Sequence, residues 1–130
     1  AGPQLYEACR TFHGCPTGEA RITPGFRLPA RFIIHTPGPI WRGGDHREDQ
    51  LLKNSYQNSL LLAEEHQCKT VAFPSISTGV FAFPLHRAAS IAVNTITDFL
   101  KHHGSVKEVT MICFDKKTLQ AYKEAQQALD

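Results

Sequence analysis

A short turn between an apolar run and an amphipathic run carries the residues best suited to chemistry in this chain. It spans residues 74–84, reads PSISTGVFAFP, and is rich in Ser, Thr and Gly. Small residues in a turn leave several backbone N–H groups pointing to one side, and the start of a following helix adds partial positive charge. Both features attract phosphate groups. The sequence therefore predicts a phosphate-binding loop, although many turns of this composition join a strand to a helix and bind nothing.

Two common nucleotide-binding motifs do not occur at this turn. No Gly-Lys-Ser/Thr follows it, so the lysine that reaches the outer phosphates in a Walker loop is missing. The G-x-G-x-x-G pattern of dinucleotide-binding folds does not occur either. We therefore expect phosphate binding without the nucleotide hydrolysis that is typical of Walker-loop proteins.

A few other polar residues are candidates for catalysis. Ser75 or Ser77 could act as a nucleophile with a distant His and Asp, but no G-x-S-x-G elbow surrounds them, so a serine hydrolase is the weaker hypothesis. His35, Asp45 and His46 are the remaining candidates for acid–base chemistry. His35 ends an apolar run, where a hydrogen-bonded structural histidine is the more common arrangement. Asp45 is explained as a helix cap.

Histidine and cysteine are too scattered to predict a metal site. His13 lies near Cys15, and His102 is adjacent to His103, but neither pair reaches four ligands with zinc-like spacing. The four cysteines form no C-x-x-C pair, which is typical of reduced thiols. We expect no metal and no cofactor.

Strand-like and helix-like segments alternate through the chain, which favours one α/β layered domain. The predicted strands cover residues 18–23, 31–36, 69–73 and 109–114. The first two are joined by a Pro-Gly turn, which favours a hairpin-like or adjacent pair. Because the run 31–36 is apolar at its centre, we place it inside the sheet. The predicted helices cover residues 3–13, 45–67, 84–103 and 115–129.

Several helix ends can be assigned from single residues. Asp45 and Glu48 fit a capping box for the second helix, and Pro84 suits the first turn of the third. Gly104 ends the third helix, and Asp115 is the expected N-cap of the fourth. The apolar face predicted for the fourth helix consists of Leu119, Tyr122, Ala125 and Leu129.

Composition excludes some classes of function. The chain has 130 residues, of which 42% are hydrophobic and 20% charged, which is ordinary for a single globular domain. A net charge of +2 is too small to predict a nucleic-acid surface. No apolar stretch is long enough to span a bilayer, so we expect a cytoplasmic protein without a membrane partner.

Four motifs together resemble the macro domain in order and spacing. They are CPTGEA at 15–20, IIHTPGP at 33–39, PSISTGVF at 74–81 and CFD at 113–115. The resemblance covers essentially residues 1–130, as the C-terminal portion of a single such domain. It is closest to the bacterial-type branch, which includes deacetylases of O-acetyl-ADP-ribose and hydrolases of mono-ADP-ribosyl groups. It implies a three-layer α/β/α sandwich with a mixed central sheet.

The resemblance also implies a site for ADP-ribose at the strand ends. The turn would wrap the diphosphate and the distal ribose, with Gly79 allowing close approach and the Ser77 and Thr78 hydroxyls adding donors. Phe81 would cover the distal ribose and Phe114 would lie against the adenine, although core packing is the simpler interpretation of Phe114. The ligand-binding residues implied in this way are Ser75, Ile76, Ser77, Thr78, Gly79, Val80, Phe81 and Phe114.

This chain departs from the family pattern in two places. Ala82 stands where the family usually has a glycine, which costs about 1 kcal/mol if the backbone there has positive φ. The N-terminal strands and the loop with the catalytic carboxylate have no counterpart in the sequence, so the catalytic residues stay unassigned. The resemblance implies hydrolysis of O-acetyl-ADP-ribose or of mono-ADP-ribosylated proteins. The alternative is a non-catalytic module that only binds ADP-ribose.

Overall fold

The computed structural model describes residues 14–129 as four strands and three helices. The predicted helix 3–13 lies outside the described residues. The elements, in chain order, are β1 (Arg21–Pro24), β2 (Phe32–His35), α1 (Glu48–Glu65), β3 (Thr70–Pro74), α2 (Leu85–His102), β4 (Glu108–Ile112) and α3 (Lys116–Gln127).

The strands form one antiparallel pair and one parallel pair. β1 and β2 pair antiparallel, with Arg21 opposite His35, which confirms the predicted hairpin. Its turn is closed by the Gly25 N–H, which donates to the Arg31 carbonyl oxygen at 2.9 Å. β3 and β4 pair parallel, ending with Pro74 opposite Ile112. Mixed pairing with packed helices is the expected α/β/α arrangement, and the parallel pair brings the segments after β3 and β4 to the same end of the sheet.

A cavity of about 840 Å³ is lined by one strand of each pair. β2 and β3 supply its walls, and Ser59 and Ala63 of α1 also line it. The prediction that β2 lies inside a sheet is wrong for the described residues, because β2 pairs with β1 alone there. All four β2 residues are half-buried.

The helices bury apolar stripes spaced three and four residues apart. The α1 stripe includes Leu52 and Tyr56, and the α2 stripe includes Ala92 and Phe99, all buried in one core with Phe73 of β3. The apolar face predicted for α3 is only partly correct. Its buried residues are Thr118, Ala121 and Tyr122, whereas Leu119 lies beside this face and Leu129 lies beyond the helix end, with 43% and 44% of their surfaces exposed.

Two helix starts differ from the sequence prediction and one agrees with it. Asp45 does not cap α1, because the helix begins at Glu48 after Arg47, whose φ is 60°. Pro84 precedes α2 as its N-cap instead of lying in the first turn. Asp115 caps α3 as predicted, since its carboxylate accepts a hydrogen bond from the Thr118 N–H at 2.7 Å. Within residues 14–129, no helix is long and apolar enough to cross a membrane.

Candidate functional site

Two loops meet where β2 and β3 end. We call residues 36–47 the β2 loop and residues 75–84 the β3 loop. The Trp41 N–H donates to the Phe81 carbonyl oxygen at 2.9 Å, which joins the two loops through their backbones. A Cβ at Gly38 would lie 2.3 Å from the Ser77 hydroxyl oxygen and 2.4 Å from a methyl group of Ile76. Only glycine allows this close approach, so Gly38 sets the distance between the loops.

The β3 loop presents a row of unbonded backbone donors. Among residues 14–129, no group accepts a hydrogen bond from the N–H of any residue in the range 77–81. The loop keeps its shape through two other bonds, from the Ala82 N–H to Gly79 and from the Phe83 N–H to Ser77, each 3.0 Å long. Apart from its chain neighbours, no described residue has an atom within 4 Å of the position that a Gly79 Cβ would occupy, so this part of the loop faces open space.

Two loop residues have the left-handed backbone conformation that produces this turn. Ser77 has φ of 66° and Ala82 has φ of 59°. The expectation that position 82 matters for backbone strain is therefore correct, because alanine pays a steric cost at positive φ that glycine avoids.

Side chains beneath the first half of the β3 loop form a hydroxyl network. The Tyr122 hydroxyl lies 2.8 Å from the Ser75 hydroxyl and 3.4 Å from the Tyr56 hydroxyl. The Tyr56 oxygen accepts a hydrogen bond from the Ile76 N–H at 3.1 Å. Burial raises the pKa of both tyrosines, that of Tyr56 strongly. Both phenols are therefore neutral supports for the loop at physiological pH.

The hydroxyl groups of Ser77 and Thr78, which were predicted to donate to a ligand, have different surroundings in the loop. The Thr78 hydroxyl donates to the Ser75 side chain at 2.7 Å and so is used inside the loop. The Ser77 hydroxyl oxygen is buried beside Gly38, without a hydrogen-bond partner in the described range 14–129. The positive φ at Ser77 and the packing against Gly38 account for this orientation. Donors to a bound anion would therefore come from the backbone.

Aromatic and apolar side chains lie near the loop at both ends of the site. Phe114 follows β4 at the same sheet end and has 78% of its surface exposed, so the core-packing interpretation is wrong. Phe81 is half-buried, and Val80 is 98% exposed. Ile76 is buried and contacts the β2 loop. The exposed Phe114 ring is free to stack on a planar group.

A cluster of three side chains, Trp41, Phe83 and Arg87, supports the second half of the β3 loop. The sequence did not predict this cluster as part of the site. The Trp41 and Phe83 ring centroids are 4.9 Å apart, and the Arg87 guanidinium lies 5.1 Å from the Trp41 ring centroid. Arg87 also donates two hydrogen bonds to Asp49, 2.8 and 2.6 Å long. The signal available from the sequence was a single tryptophan in a loop with adjacent glycines.

Glu48 holds the β2 loop from the first turn of α1. Its side chain is 1% exposed, and its carboxylate accepts hydrogen bonds from the backbone N–H groups of Arg42, Gly44 and His46. Burial alone would raise the pKa of Glu48, but these bonds, together with one from its own backbone N–H, lower it to about 2. Glu48 is therefore ionised at neutral pH, and its negative charge also suits the N-terminus of a helix.

The acid–base and nucleophile candidates do not converge on the loop. His35 is hydrogen-bonded to Thr23 at 3.0 Å, as predicted for a structural histidine, and burial lowers its pKa. The side chains of Asp45 and His46 are exposed. Within the described part of the chain, no hydrogen bond joins Ser75 or Ser77 to a histidine, and no group of three His, Cys, Asp or Glu residues could hold a metal.

The arrangement is suited to binding an anion flanked by planar or apolar groups. Consecutive backbone donors just before the start of a helix bind phosphate oxygens well. The described residues thus supply binding groups, and they do not place a nucleophile or general base beside those donors.

Sequence comparisons find relatives over nearly the whole chain. The family model described as "Macro domain" matches residues 1–92. A macro domain-containing protein of Lactiplantibacillus plantarum is 58% identical over 130 residues, which are 99% of this chain and 76% of the relative. A protein of Escherichia fergusonii named O-acetyl-ADP-ribose deacetylase is 48% identical over 94% of this chain and 71% of its own length.

Solved structures have the same fold. The Oceanobacillus iheyensis macrodomain with ADP superimposes with a TM-score of 0.93 at 41% identity, covering 99% of this chain and 71% of the other. The Trypanosoma brucei macrodomain in complex with ADP-ribose has a TM-score of 0.87 at 35% identity, covering 100% of this chain and 53% of the other. The chain therefore belongs to the macro-domain family and has its α/β/α sandwich fold.

Proposed function

We propose that this chain binds ADP-ribose through the backbone of the β3 loop. The observation that carries the proposal is the row of N–H groups at residues 77–81, which have no acceptor among residues 14–129. A diphosphate supplies several anionic oxygens to such donors. The solved relatives with ADP, ADPR and ADP-ribose support this choice of ligand.

Each part of the ligand has a proposed partner. The backbone N–H groups from Ser77 to Phe81 bind the diphosphate, and Gly79 leaves room for it because, within the described part of the chain, only its neighbours in sequence lie near its Cβ position. Phe81 covers the distal ribose and the exposed Phe114 ring packs against the adenine. The remaining proposed binding residues, which shape the loop, are Ser75, Ile76, Thr78 and Val80.

The second part of the proposal is hydrolysis by the intact protein. The relatives named O-acetyl-ADP-ribose deacetylase, 48% and 49% identical, support cleavage of O-acetyl-ADP-ribose or of mono-ADP-ribosyl esters on proteins. A module that binds ADP-ribose without cleaving it is the alternative. A cytoplasmic location stays a prediction of the sequence.

Calorimetry on a Gly79→Glu variant tests the binding proposal. The glutamate adds bulk and negative charge where the diphosphate would lie, so we expect the Kd for ADP-ribose to rise about tenfold or more, which is at least about 1.4 kcal/mol. Gly104→Glu is the matched control, because Gly104 is also exposed with open space around its Cβ position and lies outside the loop. An unchanged Kd in Gly79→Glu would remove the loop from the site.

Acetate release separates the two forms of the proposal. The protein that binds ADP-ribose is incubated with O-acetyl-ADP-ribose, and free acetate is measured over time. Release above the rate in buffer supports a hydrolase, whereas binding without release supports the non-catalytic module.

A further inference from the structure

Glu48 is an unusual residue for the first turn of a helix because its carboxylate is buried and accepts hydrogen bonds from the loop that precedes the helix. A buried carboxylate is costly unless hydrogen bonds satisfy it. One oxygen accepts from Arg42 and Gly44, each at 2.9 Å, and the other accepts from His46. Gly43 and Gly44 have φ of 92° and 95°, conformations that glycine adopts readily. The β2 loop is thus wrapped around one ionised group.

The wrapped loop continues directly into the β3 loop. Trp41, next to Arg42, donates its N–H to the Phe81 carbonyl oxygen at 2.9 Å and packs its ring on Phe83. Arg87 covers another part of the Trp41 ring. A path of direct contacts therefore runs from Glu48 through the backbone at positions 41 and 42 to the Phe81 end of the β3 loop.

The Ser75 end of the same loop has a separate support. Tyr56 and Tyr122 hold Ser75 and Ile76 through hydroxyl hydrogen bonds, and these contacts do not include Glu48 or Trp41. Loss of the Glu48 contacts would therefore affect the Phe81 end of the loop more than the Ser75 end.

We propose that Glu48 is a positioning residue that fixes the Phe81 end of the β3 loop and thereby favours ligands that extend beyond the diphosphate. This inference rests on the proposed function, because it takes Phe81 as the neighbour of the distal ribose. ADP-ribose and ADP differ by that ribose, so the ratio of their affinities reports on Glu48, whereas a general loss of structure would weaken both.

Calorimetry with ADP-ribose and ADP on Glu48→Gln tests the inference. The glutamine keeps the size but offers one acceptor oxygen in place of two, so an N–H donor of the loop loses its partner. We expect the Kd for ADP-ribose to rise about tenfold and the Kd for ADP to change less than about threefold. Glu65→Gln, an exposed residue of the same helix, is the control and changes neither. Equal weakening of both ligands, or no weakening, would overturn the inference.

Hydrogen exchange on the unmodified protein keeps the inference testable if Glu48→Gln does not fold. Coupling between two sites is reciprocal, so a ligand that depends on the Glu48 contacts must stabilise them. ADP-ribose is expected to slow exchange of the Arg42, Gly44 and His46 N–H groups more than ADP does at equal saturation. Equal slowing, or none, would contradict the role of Glu48. A wild-type protein that binds neither ligand would instead contradict the proposed function.

Discussion

The two halves of the β3 loop are held by different chemistry. Neutral, buried hydroxyls of Tyr56 and Tyr122 support the Ser75 half. The Phe81 half depends on the β2 loop, which is tied to the ionised carboxylate of Glu48. The neutral network does not change its charge in acid, whereas the carboxylate does. We therefore expect acid, or a single substitution, to remove the support of one half of the loop while the other half keeps its contacts.

The largest expected difference between the halves is in acid. The pKa of Glu48 is lowered from 4.5 to about 2 by its backbone hydrogen bonds, so its stabilising contribution is complete above pH 4.5 and is lost as the pH falls towards 2. We expect the free energy of unfolding to fall across this interval, and to fall less steeply in Glu48→Gln. Urea unfolding at several pH values measures the slopes. Equal slopes in the two proteins would show that Glu48 has no depressed pKa.

A smaller effect is expected at the neutral half. Tyr122→Phe removes the hydroxyl that contacts Ser75 at 2.8 Å, which should lower stability by about 0.5–1.5 kcal/mol. Because this residue supports the Ser75 half, ADP and ADP-ribose should lose affinity together, in contrast to Glu48→Gln. Thermal unfolding and calorimetry measure the two effects. A selective loss of ADP-ribose affinity would mean that the two halves are not supported separately.

The smallest effect is expected from the loop backbone. Ala82 has φ of 59°, so Ala82→Gly removes a steric cost and should raise stability by about 0.5–1 kcal/mol. Ala72→Gly is the control, and it should lower the free energy of unfolding. Ala72 is exposed and lies in β3, where glycine weakens a strand by about 0.5–1 kcal/mol. Urea unfolding compares the two variants. Destabilisation by Ala82→Gly would show that the loop strain is relieved by some other contact.

The sequence predicted the elements well where local composition decides them. The β-branched and apolar runs at 69–73 and 109–114 correspond to β3 and β4, and the apolar spacing after Pro84 corresponds to α2. Asp115 was found because a cap needs only residues close in the chain, here Thr118. The position of the loop between β3 and α2 followed from the same local signals.

The errors concern residues whose role depends on distant contacts. Asp45 and Glu48 have the spacing of a capping box, but the Glu48 carboxylate bonds the loop before the helix, as far back as Arg42. The orientations of the Ser77 and Thr78 hydroxyls depend on Gly38 and Ser75. No spacing rule encodes such packing, so the sequence predicted the position of the loop between β3 and α2 but not the hydrogen bonds of these side chains.

The most direct test of the central claim is a titration followed by backbone NMR. Unlabelled ADP-ribose is added to ¹⁵N-labelled protein, and the N–H resonances of residues 77–81 are compared with those of α3. Because these donors have no acceptor among residues 14–129, we predict that a bound diphosphate shifts them more than any α3 resonance. Saturable binding that leaves the resonances of residues 77–81 unchanged would contradict the account.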